Sequence, residues 1–205
     1  MPTLLVGDRI AVNWVIYGLD PLAGTPWTRL VGQKRLLPRL PKRGQVVIFG
    51  VPRNDRTIFV KRIVGMPGES IELRHGVIHI DGQPIIRRRL EPQIEELSGR
   101  AIERFEEKLP NGVTYDVIET EAEGPFDNES PRKIPADHYF LLGDNRDNSW
   151  DSRMRSIGPV PFSNIIGKVM LVVTSRVADG PRELIWYSPA TWRHGVRWQR
   201  MFMRL

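Results

Sequence analysis

The sequence predicts an all-β (mainly β) fold, on three observations. Apolar runs are short and β-branched. Gly or Pro closes most of them, and turn dipeptides fall between them. At 205 residues, 40% hydrophobic and 26% charged, the chain is one large domain or one domain with a sizeable insertion. Such a length buries a core without covalent staples.

The elements follow in order. Val46-Val47-Ile48-Phe49 is an apolar run between Arg43-Gly44 and Gly50-Val51-Pro52. Ile58 to Val64 is β-branched and stops at Gly65-Met66-Pro67-Gly68. Ile71-Glu72-Leu73 and Val77-Ile78-His79-Ile80 flank Arg74-His75-Gly76, which reads as a hairpin. Asp81-Gly82 is a turn before Pro84-Ile85-Ile86. From Arg87 to Arg132 the character changes: Arg and Glu dominate to Lys108, Asn111-Gly112 makes a turn, and Gly124 to Pro131 reads as loop. The β pattern returns at His138 to Leu142 and at Ile165 to Val173. This divides the chain into a core of residues 1–86 and 133–180, an inserted cap of 87–132 and a C-terminal segment of 181–205. In that last segment Arg193, Arg197, Arg200 and Arg204 share one helical face, with Trp198, Phe202 and Leu205 opposite. A short amphipathic helix in a membrane interface is therefore expected, or a terminal helix docked on its own domain. Trp186, Trp192 and Trp198 suit the interface, or ordinary packing.

Composition excludes several chemistries. With no Cys there is no disulfide scaffold, Cys-ligated zinc, iron–sulfur cluster or thiol nucleophile. The four His form no His-Glu-x-x-His pair, so no metal is expected, and no Gly-x-x-x-x-Gly-Lys loop or Gly-x-Ser-x-Gly elbow occurs. The net charge of +6 comes from 30 basic residues, 24 of them Arg. That balance suits an anionic surface, nucleic acid, or merely an Arg-rich genome. No run reaches the roughly 20 apolar residues that span a bilayer, and the first residues do not read as a signal peptide.

Two segments carry chemistry. In Val60-Lys61-Arg62-Ile63-Val64, period two puts Phe59, Lys61 and Ile63 on one face. A Lys among apolar groups loses solvation, its pKa falls, and the free amine can act as a general base. The bland alternative is a Lys on the wet face of an edge strand. The second segment, Gly143-Asp144-Asn145-Arg146-Asp147-Asn148-Ser149-Trp150-Asp151-Ser152-Arg153, packs three Asp, two Arg, two Asn and two Ser into eleven residues. It can brace itself with Asp–Arg pairs and side-chain-to-backbone bonds. It lacks the spacing of an EF-hand calcium loop.

Together with Pro2-Thr3-Leu4-Leu5-Val6-Gly7-Asp8 and Arg43 to Phe49, these segments resemble the bacterial type I signal peptidases, the leader peptidases that use a Ser-Lys dyad. Gln45 stands where that family usually has Asp. The resemblance implies a signal-peptidase-like β-barrel core with a smaller inserted β cap. It implies Lys61 as general base and Ser149 as the hydroxyl that holds its amine. Leu4, Ile48 and Val60 match positions lining shallow apolar pockets. Arg62 with Asp144, and Arg146, Asp151 and Arg153, match structural ion pairs. It implies no cofactor and no metal. The partners are signal-peptide-bearing preproteins and an anionic membrane surface, not nucleic acid. The expected location is the inner (plasma) membrane, with the catalytic domain on its outer, periplasmic face. The family pattern Ser-Met-x-Pro-Thr-Leu puts Met1 at x, so the nucleophile is expected two residues before Met1. The oxyanion-hole residues and the membrane anchor are expected upstream as well, and residues 1–205 alone are expected to be inactive. Two rivals remain: a self-cleaving repressor on a similar barrel, which the Gly143–Arg153 loop argues against, and an inactive cationic β-domain on membrane or nucleic acid.

Overall fold

The computed structural model describes residues 3–18, 35, 37–51, 57–94, 99, 101–121, 124–176 and 196–205. Its strands are β1 (Asp8–Asn13), β2 (Val46–Gly50), β3 (Ile58–Gly65), β4 (Ser70–Arg74), β5 (Val77–Ile80), β6 (Gln83–Pro84), β7 (Ile86–Ile94), β8 (Ala101–Lys108), β9 (Thr114–Glu119), β10 (Glu129–Lys133), β11 (His138–Leu142), β12 (Val160–Pro161) and β13 (Ile165–Ser175). They form three sheets, ordered β1-β13-β2-β3-β11-β12, β10-β4-β5-β6 and β7-β8-β9. Every pairing between these strands is antiparallel. The mainly-β expectation holds.

The continuous apolar runs of β2 and β11 have a simple cause: both faces of the central strands are covered. Val47 and Phe49 of β2, Ile63 of β3, and Tyr139 and Leu141 of β11 pack together with Tyr17, Val160 and Ile165. Val64, Phe140 and Leu142 point the other way. They join Ile71, Leu73 and Ile78 of β4–β5 and Leu109, Tyr115 and Val117 of the β7–β9 sheet in a second cluster. Burial on both faces selects Val, Ile, Leu and Phe at successive positions instead of alternation. The Arg74-His75-Gly76 hairpin joins β4 to β5, and Gly76 there has φ +72°, a conformation that costs glycine least.

The C-terminal segment departs from expectation. Residues 196–205 form no amphipathic α-helix. Trp198–Arg200 is a single 3-10 turn, after which the chain runs along β13. There Phe202 N–H donates to Val172 O at 2.7 Å, Val172 N–H to Met203 O at 2.9 Å and Leu205 N–H to Met170 O at 3.1 Å. The side-chain spacing was right for a helix, but an edge of β13 offered backbone partners, and a buried ion pair decided the matter. Arg200 is buried against Asp8, with Nη2 2.7 Å from Oδ2, so it cannot belong to a solvated cationic face. Burial raises the Asp8 carboxyl pKa, but Arg200, Ser175 and the Leu5 N–H outweigh it and hold it low. Trp198 and Phe202 are exposed. Met1, Pro2, Trp186, Trp192 and Arg193 lie outside the described residues. Among the described residues, no helix is long and apolar enough to cross a membrane.

Candidate active site

The two segments that sequence reasoning singled out meet. Lys61, on β3, donates from Nζ to Ser149 Oγ at 2.7 Å across 88 positions of sequence. β11 makes this possible. It pairs with Arg62–Gly65 of β3 and ends at Leu142, so the loop that follows turns back over Lys61. Gly143 admits the hydroxyl. A Cβ there would lie 2.0 Å from Ser149 Oγ and 3.3 Å from Lys61 Nζ. Burial depresses the Lys61 pKa, Asp151 opposes this, Arg153 reinforces it and Asp144 opposes it. The balance is a lowered pKa.

The ion pairs that brace the loop are formed. Arg62 grips Asp144 with two bonds, Nε–Oδ1 at 3.0 Å and Nη2–Oδ2 at 2.8 Å. It also donates to Gly44 O at 2.9 Å and to Thr3 Oγ1. Burial raises Asp144, but Arg62 more than offsets it and the carboxyl pKa is lowered. Arg153 pairs with Asp151 through Nε–Oδ1 at 3.0 Å and Nη2–Oδ2 at 2.9 Å, and also donates to Arg146 O. Asp151 Oδ2 accepts from Gly143 N–H at 3.1 Å, which ties the ion pair to the glycine beside Ser149. Arg146 does not pair within the loop. Its partner is Glu107 of β8, and both side chains are essentially fully buried.

Leu4, Ile48 and Val60 also come together, in one apolar cluster with Val46 and Val169. Leu205 packs against that same cluster. On its β11 side, β3 is paired only over Arg62–Gly65, while Ile58–Lys61 pair with β2 alone among the described strands. No group of three His, Asp or Glu arranged for a metal occurs among the described residues.

Sequence reasoning missed Glu107, Tyr115 and Asp147. Glu107 had a readable signal. Period two along β8 puts Phe105, Glu107 and Leu109 on one face, a carboxylate between apolar neighbours, just as it singled out Lys61. Tyr115 is the direct cross-strand partner of Glu107 and became readable only with the β8–β9 register. Asp147, inside the loop already singled out, finds its partners in Thr120 and Glu121 across the fold.

Placing an ammonium-forming group in this setting costs stability. The unfolded chain holds the Lys61 proton near the ordinary lysine pKa of about 10.4, and the folded chain holds it less tightly. Unfolding therefore takes up a proton between the two values, and stability rises with pH across that window. Lys61→Met is expected to raise the thermal midpoint at pH 7 by about 2–4 °C, with the gain shrinking as pH approaches 10. Calorimetry across pH checks it, and a midpoint that falls at pH 7 contradicts it.

Comparison with known proteins places the chain among peptidases. The family described as "Signal peptidase, peptidase S26" matches residues 1–174, and this chain belongs to it. Signal peptidase I of Rickettsia bellii (strain OSU 85-389) is 32% identical over 222 aligned positions, covering 99% of this chain and 74% of that protein. Signal peptidase I of Rickettsia typhi is 37% identical over 144 positions, covering 67% of this chain and 54% of that protein. A crystal structure of a signal peptidase I from Enterococcus faecalis aligns with 63% of this chain and 97% of its own, at 23% identity and a TM-score of 0.37.

Proposed function

We propose that this chain is the catalytic part of a signal peptidase I, a serine endopeptidase that cleaves N-terminal signal peptides from exported preproteins at a membrane surface. The observation that carries the reading is the half-buried Lys61 amine held 2.7 Å from Ser149 Oγ on a braced loop. In this reading Lys61 is the general base and Ser149 orients it. On the same reading the attacking serine is the first residue of the Ser-Met-x-Pro-Thr-Leu pattern, whose Pro-Thr-Leu this chain carries as Pro2-Thr3-Leu4. Its hydroxyl proton passes to Lys61 Nζ as Oγ adds to the scissile carbonyl. The Lys61 ammonium then protonates the departing amine, leaving an ester. Water, deprotonated by the same amine, attacks the ester and restores the serine. A lowered pKa keeps part of the amine free at working pH.

The substrate end of the reading rests on two features. The edge of β3 at Ile58–Lys61 suits an extended peptide that adds as a strand. The cluster of Leu4, Ile48 and Val60 beside it suits small apolar side chains, as Ala-x-Ala-like cleavage sites require. The exposed Trp198 and Phe202 suit contact with a membrane interface, and in this reading the domain acts on an anionic surface at the outer face of the inner membrane.

The test is a chain carrying Ser-Met ahead of Met1, incubated with a detergent-solubilised preprotein and assayed by mass spectrometry of the mature N-terminus. Cleavage after the small residue of the signal is expected, and none from residues 1–205 alone. No cleavage by the extended chain, together with salt-sensitive binding to DNA or RNA, would replace this reading with that of a cationic binding domain.

A further inference from the structure

The β7–β9 sheet does more than sit beside the core, because its strands hold the Gly143–Arg153 loop at both ends of one short stretch. Ile118 N–H donates to Asp144 O at 2.9 Å and Arg146 N–H donates to Ile118 O at 3.0 Å, so the loop pairs with β9 as a short parallel bridge. One residue further along, Asp147 Oδ2 accepts from Thr120 N–H at 2.6 Å and from Glu121 N–H at 2.9 Å. Between these contacts lies the buried pair of Arg146 and Glu107. Glu107 is fixed in turn by Tyr115, whose hydroxyl donates to Oε2 at 2.7 Å. The Tyr115 ring lies under the Arg62 guanidinium, 4.2 Å from its centroid, next to Lys61 in the chain.

The contacts continue to the amine. Arg146 presents its carbonyl to Arg153, Arg153 pairs with Asp151, and Asp151 accepts the N–H of Gly143, against which Ser149 is seated. A carboxylate buried with its partner is costly to desolvate and contributes little net stability, so stability alone is a poor reason for it. We propose that Glu107 is a positioning residue of this site: through Arg146 it sets the loop that seats Ser149 against the Lys61 amine. The inserted sheet is then part of the catalytic apparatus rather than a removable cap. The inference deepens the peptidase reading and rests on it for the role of Lys61, but its test needs no cleavage.

The test is the pH dependence of Lys61 acetylation by acetic anhydride, read by peptide mass spectrometry on residues 1–205. The charged groups acting on this amine are Asp151, Arg153 and Asp144 of the loop, with Arg62 beside it on β3. Glu107→Gln removes the charge that holds Arg146. If the loop relaxes and water reaches Lys61, its titration midpoint moves up toward the ordinary lysine value. An upward shift resolved from the parent midpoint is expected, with a matching loss of free amine at neutral pH. Glu107→Asp keeps the charge but draws it back by one methylene. It serves as the folded second variant, with a smaller rise in the same direction. Val117→Ala, in the same sheet, is the control: it lowers thermal stability and leaves the Lys61 midpoint in place. A folded Glu107→Gln or Glu107→Asp chain with the parental midpoint overturns the proposal. A moved midpoint without preprotein cleavage by the Ser-Met-extended chain keeps the positioning and removes the peptidase reading. Cleavage with an unmoved midpoint does the reverse.

Discussion

Lys61→Ala, placed in the Ser-Met-extended chain, is expected to lower preprotein cleavage by about 10³-fold or more with the fold intact. The size follows from what the residue supplies. A serine hydroxyl is a weak nucleophile until a neighbouring base takes its proton. Among the described residues, Lys61 is the half-buried amine beside this loop with a depressed pKa. The loss should fall in kcat, because binding of the signal peptide uses the apolar cluster and the strand edge, which Ala leaves in place. Lys61→Arg is the sharper companion. It fits a long cation into the same strand, but a guanidinium cannot surrender its proton in a protein. It should be as inactive as the Ala variant while still carrying charge. In the parent chain, kcat/KM should rise with pH through the depressed Lys61 pKa and flatten below the ordinary lysine value of about 10.4. A Lys61→Ala chain that turns over at a parental rate, or a profile with no acidic limb, removes Lys61 from the mechanism.

What could be read from the sequence was whatever is written locally. The β2 and β11 runs, the β4–β5 hairpin and the period-two face of Lys61 all depend on near neighbours, and each appears in the structure. The Asp–Arg pairs were legible because most of them join residues of the two segments already singled out, Arg62 to Asp144 and Arg153 to Asp151. Arg146 looked like one more brace of its own loop, yet it reaches 39 positions back to Glu107. Period two marks Glu107 as the carboxylate on the apolar face of Phe105 and Leu109, but nothing local joins it to Arg146, because that contact is set by how the β7–β9 sheet packs on the loop. The C-terminal segment failed for a related reason. Arg197, Arg200 and Arg204 have helical spacing, but Arg200 is spent on Asp8, 192 positions away. Backbone bonds to β13 then outweigh what one short helix could gain by itself.

Gly143→Ala should be nearly as damaging to activity as loss of the base, through geometry alone. The added methyl carbon would lie 2.0 Å from Ser149 Oγ and 2.6 Å from Ser149 Cβ. Rotating the hydroxyl away does not help, because the Cβ itself is too close. Moving the loop does not help either, because Gly143 N–H is held by Asp151, Ser152 Oγ accepts from Leu141 N–H at 3.0 Å, and Arg146 N–H is held by Ile118. Something in the seat of Ser149 must give, and the 2.7 Å bond to Lys61 is the first contact to be lost. Overpacking of this kind costs about 1–3 kcal/mol, some 2–4 °C per kcal/mol in a chain of this size. Cleavage should fall by about 10²-fold or more, since a misplacement of an ångström at the reacting groups has that effect. Adding Ser149→Gly to the Gly143→Ala chain separates the two consequences. It removes the colliding atoms, so thermal stability should recover, but it also removes the hydroxyl that orients the amine, so activity should not. Recovery of both would mean that Ser149 is only a packing neighbour of Gly143 and that Lys61 finds its orientation elsewhere.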